Sequence, residues 1–181
     1  METDDFWQRF PSKFIDFFIS ELKGKKLLDI GSGPGRDAEI FRTAGLDVTC
    51  IDASEAMVKM TKDKGFDSIL GNFNQIPFDD LFFDGVWSYT ALLHVHKKDI
   101  GGAFEEIYRV MNSGSVLGLG LIEGIGEETK ISMGEDYPRH FSYFSKEEVQ
   151  ELALGCGMEE IYFERHLVKT KKYLHFIFKK N

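Results

Sequence analysis

Cysteine and proline are scarce in this chain of 181 residues, which contains 2 Cys and 4 Pro. Cys50 and Cys156 lie far apart and form no Cys-x-x-Cys pair, so neither a disulfide framework nor a cysteine-based metal site is predicted. We therefore expect a reducing, cytoplasmic environment. No apolar run is long enough to cross a bilayer, and the first residues lack the pattern of a signal peptide, so no membrane association is predicted.

Positive charge is also in short supply. The sequence has 22 basic against 30 acidic residues, a net charge of −8, and such a field repels polyanions, which disfavours nucleic acid as a partner. Hydrophobic residues make up 43% and charged residues 29% of the chain, which is the balance of a folded globular protein. The length fits a single domain that spans residues 1–181.

The most informative stretch, residues 26–52, predicts a strand, a glycine turn, a helix and a second strand. The first strand is short and apolar, as expected of a strand buried on both faces. The turn at residues 31–35 carries three glycines, whose missing Cβ atoms let the backbone approach a ligand. The helix begins at Arg36 and ends at Gly45, and the second strand ends on Asp52. The pattern indicates a ligand site at the ends of two neighbouring strands.

Asp52 favours a nucleoside ligand. An acidic residue at the end of the second strand, about 20 residues after the first glycine, lies where a ribose presents its hydroxyl groups. Dinucleotide sites favour Gly-x-Gly-x-x-Gly, whereas the third glycine here comes one residue early, after Pro34. The spacing therefore argues against a pyrophosphate and against a nicotinamide-dependent reductase.

Two motifs together resemble a known family. LLDIGSGPGRDA followed by VTCIDASEAMV is similar to motif I and the acidic motif of class I S-adenosylmethionine-dependent methyltransferases, of the small-molecule, methyltransferase type 11-like kind. The resemblance implies an α/β fold, a single-domain Rossmann-like three-layer sandwich with a mostly parallel seven-stranded sheet and a terminal antiparallel hairpin. It also implies S-adenosyl-L-methionine as cofactor and methyl transfer by in-line displacement. The cofactor contacts that it implies are Asp29, Gly31, Ser32, Gly33, Gly35, Asp52, Ala53, Asn72, Phe73 and Ser88.

Hydrophobic periodicity predicts the remaining elements. An amphipathic helix is expected over residues 1–22, within an N-terminal segment 1–24, and further helices begin near Ser54, Asp99 and Ser145. Residues 123–143 are rich in glycine and charge and predict a long loop. We weigh a lid over the acceptor pocket, formed with the first ten or so residues, against a passive surface loop. Further strands are predicted at residues 66–70, 85–89, 116–122, 159–167 and 173–178.

Three side chains are candidate proton acceptors: His94, His140 and Tyr89. A base is needed only if the acceptor must lose a proton early, as an alcohol or a phenol does. Each candidate has a structural alternative, since a histidine beside aromatic residues is more often a structural group and Tyr89 can simply fill the core. His94 and His96 also form a His-x-His pair, but no third ligand is placed to complete a site, so no metal is predicted.

The methyl acceptor is not specified by any motif. The Asn-Pro-Pro-Tyr signature of nitrogen methylation on nucleobases or protein glutamine is absent, and residues 87–90 read Trp-Ser-Tyr-Thr instead. Together with the acidic balance, this favours a small-molecule acceptor. The alternative from another class is a non-catalytic domain that binds S-adenosylmethionine and regulates a protein partner.

Overall fold

The computed structural model describes residues 12–131 and 138–181. Within these ranges the chain forms a large sheet between helices and a separate two-stranded ribbon. The helices are α1 (Ser12–Glu21), α2 (Arg36–Thr43), α3 (Glu55–Asp63), α4 (Ile100–Val110), α5 (Lys146–Gly155) and a short 3₁₀ helix (Leu92–His94). The strands are β1 (Lys26–Ile30), β2 (Asp47–Asp52), β3 (Asp67–Leu70), β4 (Phe83–Tyr89), β5 (Met111–Ile122), β6 (Glu127–Lys130), β7 (Arg139–Ser142), β8 (Met158–Val168) and β9 (Lys171–Lys180).

The large sheet has seven strands in the order β3-β2-β1-β4-β5-β9-β8. The first five run parallel, and β9 pairs antiparallel with both β5 and β8. The predicted Rossmann-like sheet with its terminal antiparallel hairpin is confirmed. The last strand of the chain therefore lies inside the sheet, between β5 and β8.

Helices cover both faces of this sheet. On one face, Phe14 and Phe18 of α1 and Phe41 of α2 surround Trp87 of β4, with ring centroids 4.9 to 5.1 Å apart. On the other face, buried side chains of α4 and α5, such as Phe104 and Val149, pack in the larger of the hydrophobic clusters. Burying one such side chain contributes about 1.5–3 kcal/mol to the stability of the fold. Packing on both faces of the sheet therefore stabilises a three-layer arrangement.

Space for the two large rings of β4 is provided by glycines of β5. In the parallel register Trp87 lies opposite Gly118 and Tyr89 opposite Gly120. A Cβ atom added at either glycine would overlap the ring of its β4 neighbour. The small residues of β5 therefore let two large aromatic side chains lie side by side on the α1 face.

The N-terminal helix and the stretch at 123–143 differ from their predicted form. The helix is present from Ser12 to Glu21, whereas residues 1–11 lie outside the described residues. In place of one irregular loop, β6 and β7 form an antiparallel ribbon, in which Glu127 pairs with Ser142. Residues 132–137 lie outside the described residues as well. At the start of α5, Ser145 and Glu148 exchange side-chain to backbone hydrogen bonds and so form a capping box.

Candidate active site

A cleft opens where β1, β2 and β4 end, and its cavity volume is about 780 Å³. That lies within the range of about 300–1,000 Å³ that is usual for small-molecule sites. The glycine turn after β1 and the end of β2 line one side, and the segments that follow β3 and β4 line the other. The cleft thus occupies the carboxyl edge of the sheet, where open α/β folds bind ligands.

Asp52 joins two of these segments. Its Oδ2 accepts a hydrogen bond from the backbone N–H of Gly33 at 2.8 Å, and its Oδ1 accepts one from Ser54 at 2.9 Å. Each carboxylate oxygen has a second lone pair available for a further donor. The carboxylate therefore holds the glycine turn in place and still offers acceptor positions to the cleft that it lines.

Gly33 is the glycine whose missing side chain matters most for a ligand. Its backbone has a φ of +53°, and a Cβ atom built on it would meet no protein atom within 4 Å. Since Gly33 lines the cleft, that open space belongs to the cavity. A glycine-lined cradle beside an acidic strand end fits the nucleoside part of S-adenosylmethionine.

The other two glycines of the turn have different surroundings. Gly31 lines the cleft, but a Cβ atom there would overlap the side chain of Ala91. At Gly35 a Cβ atom would lie 2.9 Å from Cγ2 of Thr61 in α3, and Gly35 is not among the residues that line the cleft. Both glycines thus allow close packing of the turn, and their predicted cofactor contact stays a prediction.

Ala53, Asn72 and Phe73 all line the cleft. The side-chain oxygen of Asn72 already accepts a hydrogen bond from the backbone N–H of Asn74 at 2.9 Å. It therefore fixes the turn after β3 and has a second lone pair, and the predicted contact of Asn72 with the cofactor stays a prediction.

Asp29, Ser32 and Ser88 are buried and do not line the cleft. Because side chains alternate along a strand, Ser88 points away from the α1 face that its neighbours Trp87 and Tyr89 occupy. Oγ of Ser88 and Oδ2 of Asp29 have no hydrogen-bond partner among the described residues. The structure therefore does not bring these side chains to the cavity, and their predicted contacts remain untested.

Asp29 lies beneath the start of α2. Burial, followed by the nearby carboxylate of Asp37, raises the pKa of Asp29 well above its usual value, and the guanidinium of Arg36 opposes this. Arg36 Nε lies 2.5 Å from Oδ1 of Asp37, whose Oδ2 accepts a hydrogen bond from Trp87 Nε1 at 2.9 Å. This network connects the glycine-turn helix to the centre of the sheet.

His94, one of the three predicted bases, lines the cleft. Its Nδ1 lies 2.7 Å from the backbone carbonyl oxygen of His140, and a carbonyl can only accept, so Nδ1 carries the hydrogen. In the neutral ring Nε2 is then the nitrogen with the lone pair. The ring packs edge-on against Phe141, with centroids 4.9 Å apart, which fixes its orientation.

Tyr89 lines the cleft with part of its ring, but its hydroxyl lies 3.1 Å from Nε2 of His175 in β9. His175 is fully buried. Burial raises the pKa of Tyr89 above its ordinary value and lowers the pKa of His175 to about 4. A tyrosine that holds its proton this firmly is poorly suited to accept one.

His140 does not line the cleft. Its Nε2 lies 3.0 Å from Ser142 Oγ and 3.1 Å from Glu127 Oε1, within the ribbon. Its backbone carbonyl oxygen contacts Nδ1 of His94. Of the three candidate bases, His94 is therefore the best placed.

Several lining residues carry no signal in the sequence. Met57, Asp99 and Arg139 line the cleft because their segments converge there in space. Thr90 lines it with a φ of +53°, which is rare for a β-branched residue. Such backbone strain is common at ligand sites, but only coordinates reveal it.

Comparison with known proteins identifies the family of the chain. A family profile described as a methyltransferase domain matches residues 28–119, just over half of the chain. Malonyl-[acyl-carrier protein] O-methyltransferase of Salmonella typhimurium is 33% identical over 107 residues, which cover 56% of this chain and 42% of that protein. 24-Methylenesterol C-methyltransferase 2 of Arabidopsis thaliana is 35% identical over 107 residues, covering 54% of this chain and 29% of that protein. The chain thus spans less than half the length of these curated relatives.

Similarity to solved structures extends over more of the fold. The crystal structure of Burkholderia thailandensis 1,6-didemethyltoxoflavin-N1-methyltransferase, with bound 1,6-didemethyltoxoflavin and S-adenosylhomocysteine, superposes with a TM-score of 0.76. It is 19% identical, and the alignment covers 94% of this chain and 77% of that one. At this identity the match establishes the fold.

The strand order and the glycine-lined cleft define a Rossmann-like nucleoside-binding domain of the class I methyltransferase type. With its profile match, the chain belongs to the methyltransferase domain family, and S-adenosylmethionine is its cofactor.

Proposed function

We propose that this protein transfers a methyl group from S-adenosylmethionine to a small-molecule acceptor bound in the same cleft. The observation that carries the proposal is the cavity itself, which Gly33 and Asp52 line on one side and His94 on the other. S-adenosylmethionine supplies a methyl group that is already activated on its sulfonium. The task left to the protein is to hold donor and acceptor in line and to exclude water.

Asp52, Gly33 and His94 each perform one part of this task. Asp52 accepts hydrogen bonds from the ribose hydroxyls, and the backbone at Gly33 lies against the cofactor. His94, with hydrogen on Nδ1, takes a proton at Nε2 when the acceptor is an alcohol or a phenol. The cavity volume of about 780 Å³ and the net charge of −8 both support a small acceptor over a polyanion. The relatives' names include O-, C- and N-methyltransferases, so the acceptor atom is the open part of the proposal.

The test has two stages. Isothermal titration with S-adenosylmethionine and S-adenosylhomocysteine should show one site per chain, and a methyl-release assay over a small-molecule panel should then show turnover. For an acceptor that must lose a proton, His94→Gln should lower kcat by about 10²–10⁴-fold and leave S-adenosylhomocysteine affinity unchanged. His166→Gln, on β8, is the matched control and should keep full activity.

Each failure has its own meaning. If no ligand binds, the proposed cofactor site is wrong. If both ligands bind but no acceptor in the panel is methylated, the result favours a non-catalytic domain that binds the cofactor and regulates a protein partner.

A further inference from the structure

Two histidines and one carboxylate meet at the rim of the cleft. One donor atom from each of His96, Glu127 and His140 lies within 4.8 Å of the others. Oε1 of Glu127 is 3.1 Å from Nε2 of His140 and 3.6 Å from Nδ1 of His96. In the sequence, His96 forms a His-x-His pattern with His94. In the folded chain, His96 instead lies beside His140 of β7, and Glu127 of β6 adds a third possible ligand.

The two distances from Glu127 to the histidine nitrogens are close to the spacing of ligands around one ion. Zinc is bound by histidine nitrogen and carboxylate oxygen at about 2.0–2.2 Å, so two ligand atoms at tetrahedral angles lie about 3.4 Å apart. The two distances from Glu127 fall on either side of this value. Two imidazoles with one carboxylate are also a common ligand set for divalent first-row metals, zinc and iron among them.

The ligands are held by contacts of their own. Glu127 Oε1 accepts the backbone N–H of Lys97 at 2.8 Å, and Ser142 Oγ donates to the carbonyl oxygen of Val95 at 2.7 Å. These bonds fasten the ribbon to the segment that carries His96. The bond from Lys97 is also the main reason why the pKa of Glu127 lies below its usual value, so the carboxylate is charged at neutral pH.

The two rings are very close to each other. The centroids of His96 and His140 are 3.8 Å apart, so the two imidazoles lie against each other beside Glu127. A metal ion needs both imidazoles neutral and adds a positive charge beside the carboxylate. The side chains of His96 and Glu127 are 55% and 38% exposed, which gives an ion a path from solvent.

We propose that His96, Glu127 and His140 form a binding site for one divalent first-row transition-metal ion. Three protein ligands leave at least one coordination position for water or another ligand. Because His96 also lines the cleft, the ion lies beside the space in which the acceptor binds. The site is independent of the methyl-transfer proposal, since metal binding is measured without cofactor or acceptor.

Cobalt(II) is a suitable probe, because its visible absorption reports direct ligation. Titration of the metal-free protein with Co²⁺ should give about one ion per chain, and Zn²⁺ should displace it and abolish the absorption. Glu127→Gln is the informative variant, since its amide oxygen can still accept from the backbone N–H of Lys97 while the charge is lost. Glu127→Gln, His96→Ala and His140→Ala should each weaken Co²⁺ binding at least about tenfold.

His166→Ala is the matched control. His166 is a half-buried histidine on β8, outside the cluster, and its removal should leave stoichiometry and affinity unchanged. Circular dichroism on every variant establishes that it is folded. If folded Glu127→Gln and His96→Ala bind Co²⁺ as tightly as the unmodified protein, or if the unmodified protein binds none, the proposal is wrong.

Discussion

Among single residues, Gly33 is the position at which we expect an added side chain to impair ligand binding most. No protein atom lies within 4 Å of the Cβ position at Gly33. We predict that Gly33→Val abolishes binding of S-adenosylhomocysteine, because the added side-chain atoms would occupy the cavity. Titration calorimetry measures this. Gly45→Val is the matched control, since Gly45 also has a left-handed φ, of +87°, and open space, but it follows α2 away from the cleft. Both variants should lose similar stability from backbone strain, about 1–2 kcal/mol.

If Gly33→Val is folded and binds the ligand with the affinity of the unmodified protein, Gly33 is not in contact with the cofactor. A loss of binding in Gly45→Val of the same size would point to strain as the cause.

Asp52 has both a structural and a binding role. We predict that Asp52→Ala weakens S-adenosylmethionine binding by about 1.5–3 kcal/mol, the scale of hydrogen bonds to a charged group. It also leaves the N–H groups of Gly33 and Ser54 without their acceptor, so we expect a smaller loss of thermal stability. Calorimetry and thermal unfolding separate the two effects.

Asp47→Ala, at the opposite end of the same strand, should leave the affinity unchanged. An Asp52→Ala protein that is folded and binds normally would remove Asp52 from the site.

His175 makes stability depend on pH. Burial lowers the pKa of His175 from 6.5 to about 4. Between these values the unfolded chain binds a proton that the native protein does not, so the free energy of unfolding falls as the pH is lowered from about 6.5 to about 4. The shift corresponds to about 3 kcal/mol. We predict that His175→Gln removes most of this fall in urea unfolding across that range.

Gln at position 175 keeps an acceptor for the hydroxyl of Tyr89. The ring of His166 stacks on His175 with centroids 5.8 Å apart and adds to the lowering of its pKa, so His166→Gln should reduce the pH dependence, but by less than His175→Gln does. Identical curves for His175→Gln and the unmodified protein would show that another group titrates in this range.

Side chains alternate between the two faces of a strand, and this limits which site residues could be predicted from the sequence. Asp52 and Gly33 could be placed because the glycine turn and the strand end are local features of one short stretch. Ser88 could not, because β4 is buried on both faces and its sequence does not tell which face meets the cleft. The surroundings of His140 could not be predicted either, because Glu127 and His94, which it contacts, are 13 and 46 residues away in the sequence.

Among the elements, the ribbon of β6 and β7 is the candidate lid. It is fastened to the rim of the cleft by His94 Nδ1, by Lys97 N–H and by Ser142 Oγ. We predict that S-adenosylhomocysteine, and more strongly an added acceptor, slows amide hydrogen exchange in both ribbon strands, because a ligand in the cleft favours the docked position.

The turn between β8 and β9 is the internal control and should exchange at the same rate in all states. Equal exchange of the ribbon with and without ligands, together with full activity of a variant with shortened ribbon strands, would contradict the lid hypothesis. The part of that hypothesis that concerns residues 1–11 lies outside the described residues.

The helices and the buried strands were predictable because their hydrophobic periodicity is strong, and most of their bounds agree with the prediction within a few residues. The ribbon was not, because Glu127–Lys130 is a polar strand without an apolar alternation. Its formation depends on pairing with Arg139–Ser142, and a single sequence carries little information on such pairing.

For the whole molecule, we predict a single cooperative unfolding transition. Both large hydrophobic clusters include residues of β1, β4 and β5, so neither face can lose its packing without the other. Circular dichroism and the fluorescence of buried Trp87, recorded in a Trp7→Phe background, should give the same midpoint. S-adenosylhomocysteine at about 100 times its Kd should stabilise the whole transition by about 2.7 kcal/mol.

Two separate midpoints would contradict the single domain proposed for residues 1–181. A ligand that shifts one signal and not the other would show that the cleft unfolds independently of the remaining sheet.

Within the described residues, no helix is both long enough and apolar enough to span a bilayer.

The position of β9 has a consequence for how the protein is made. Because β9 (Lys171–Lys180) lies between β5 and β8, β5 is paired only with β4 until β9 arrives, and β8 has no partner in the large sheet. On the ribosome, the first 170 residues emerge with an incomplete sheet and an exposed edge on β5, which is the kind of surface that invites aggregation. The sheet is therefore completed only after β9 has emerged, and a nascent chain stalled before Tyr173 should need chaperone protection that a chain extended past Lys180 does not.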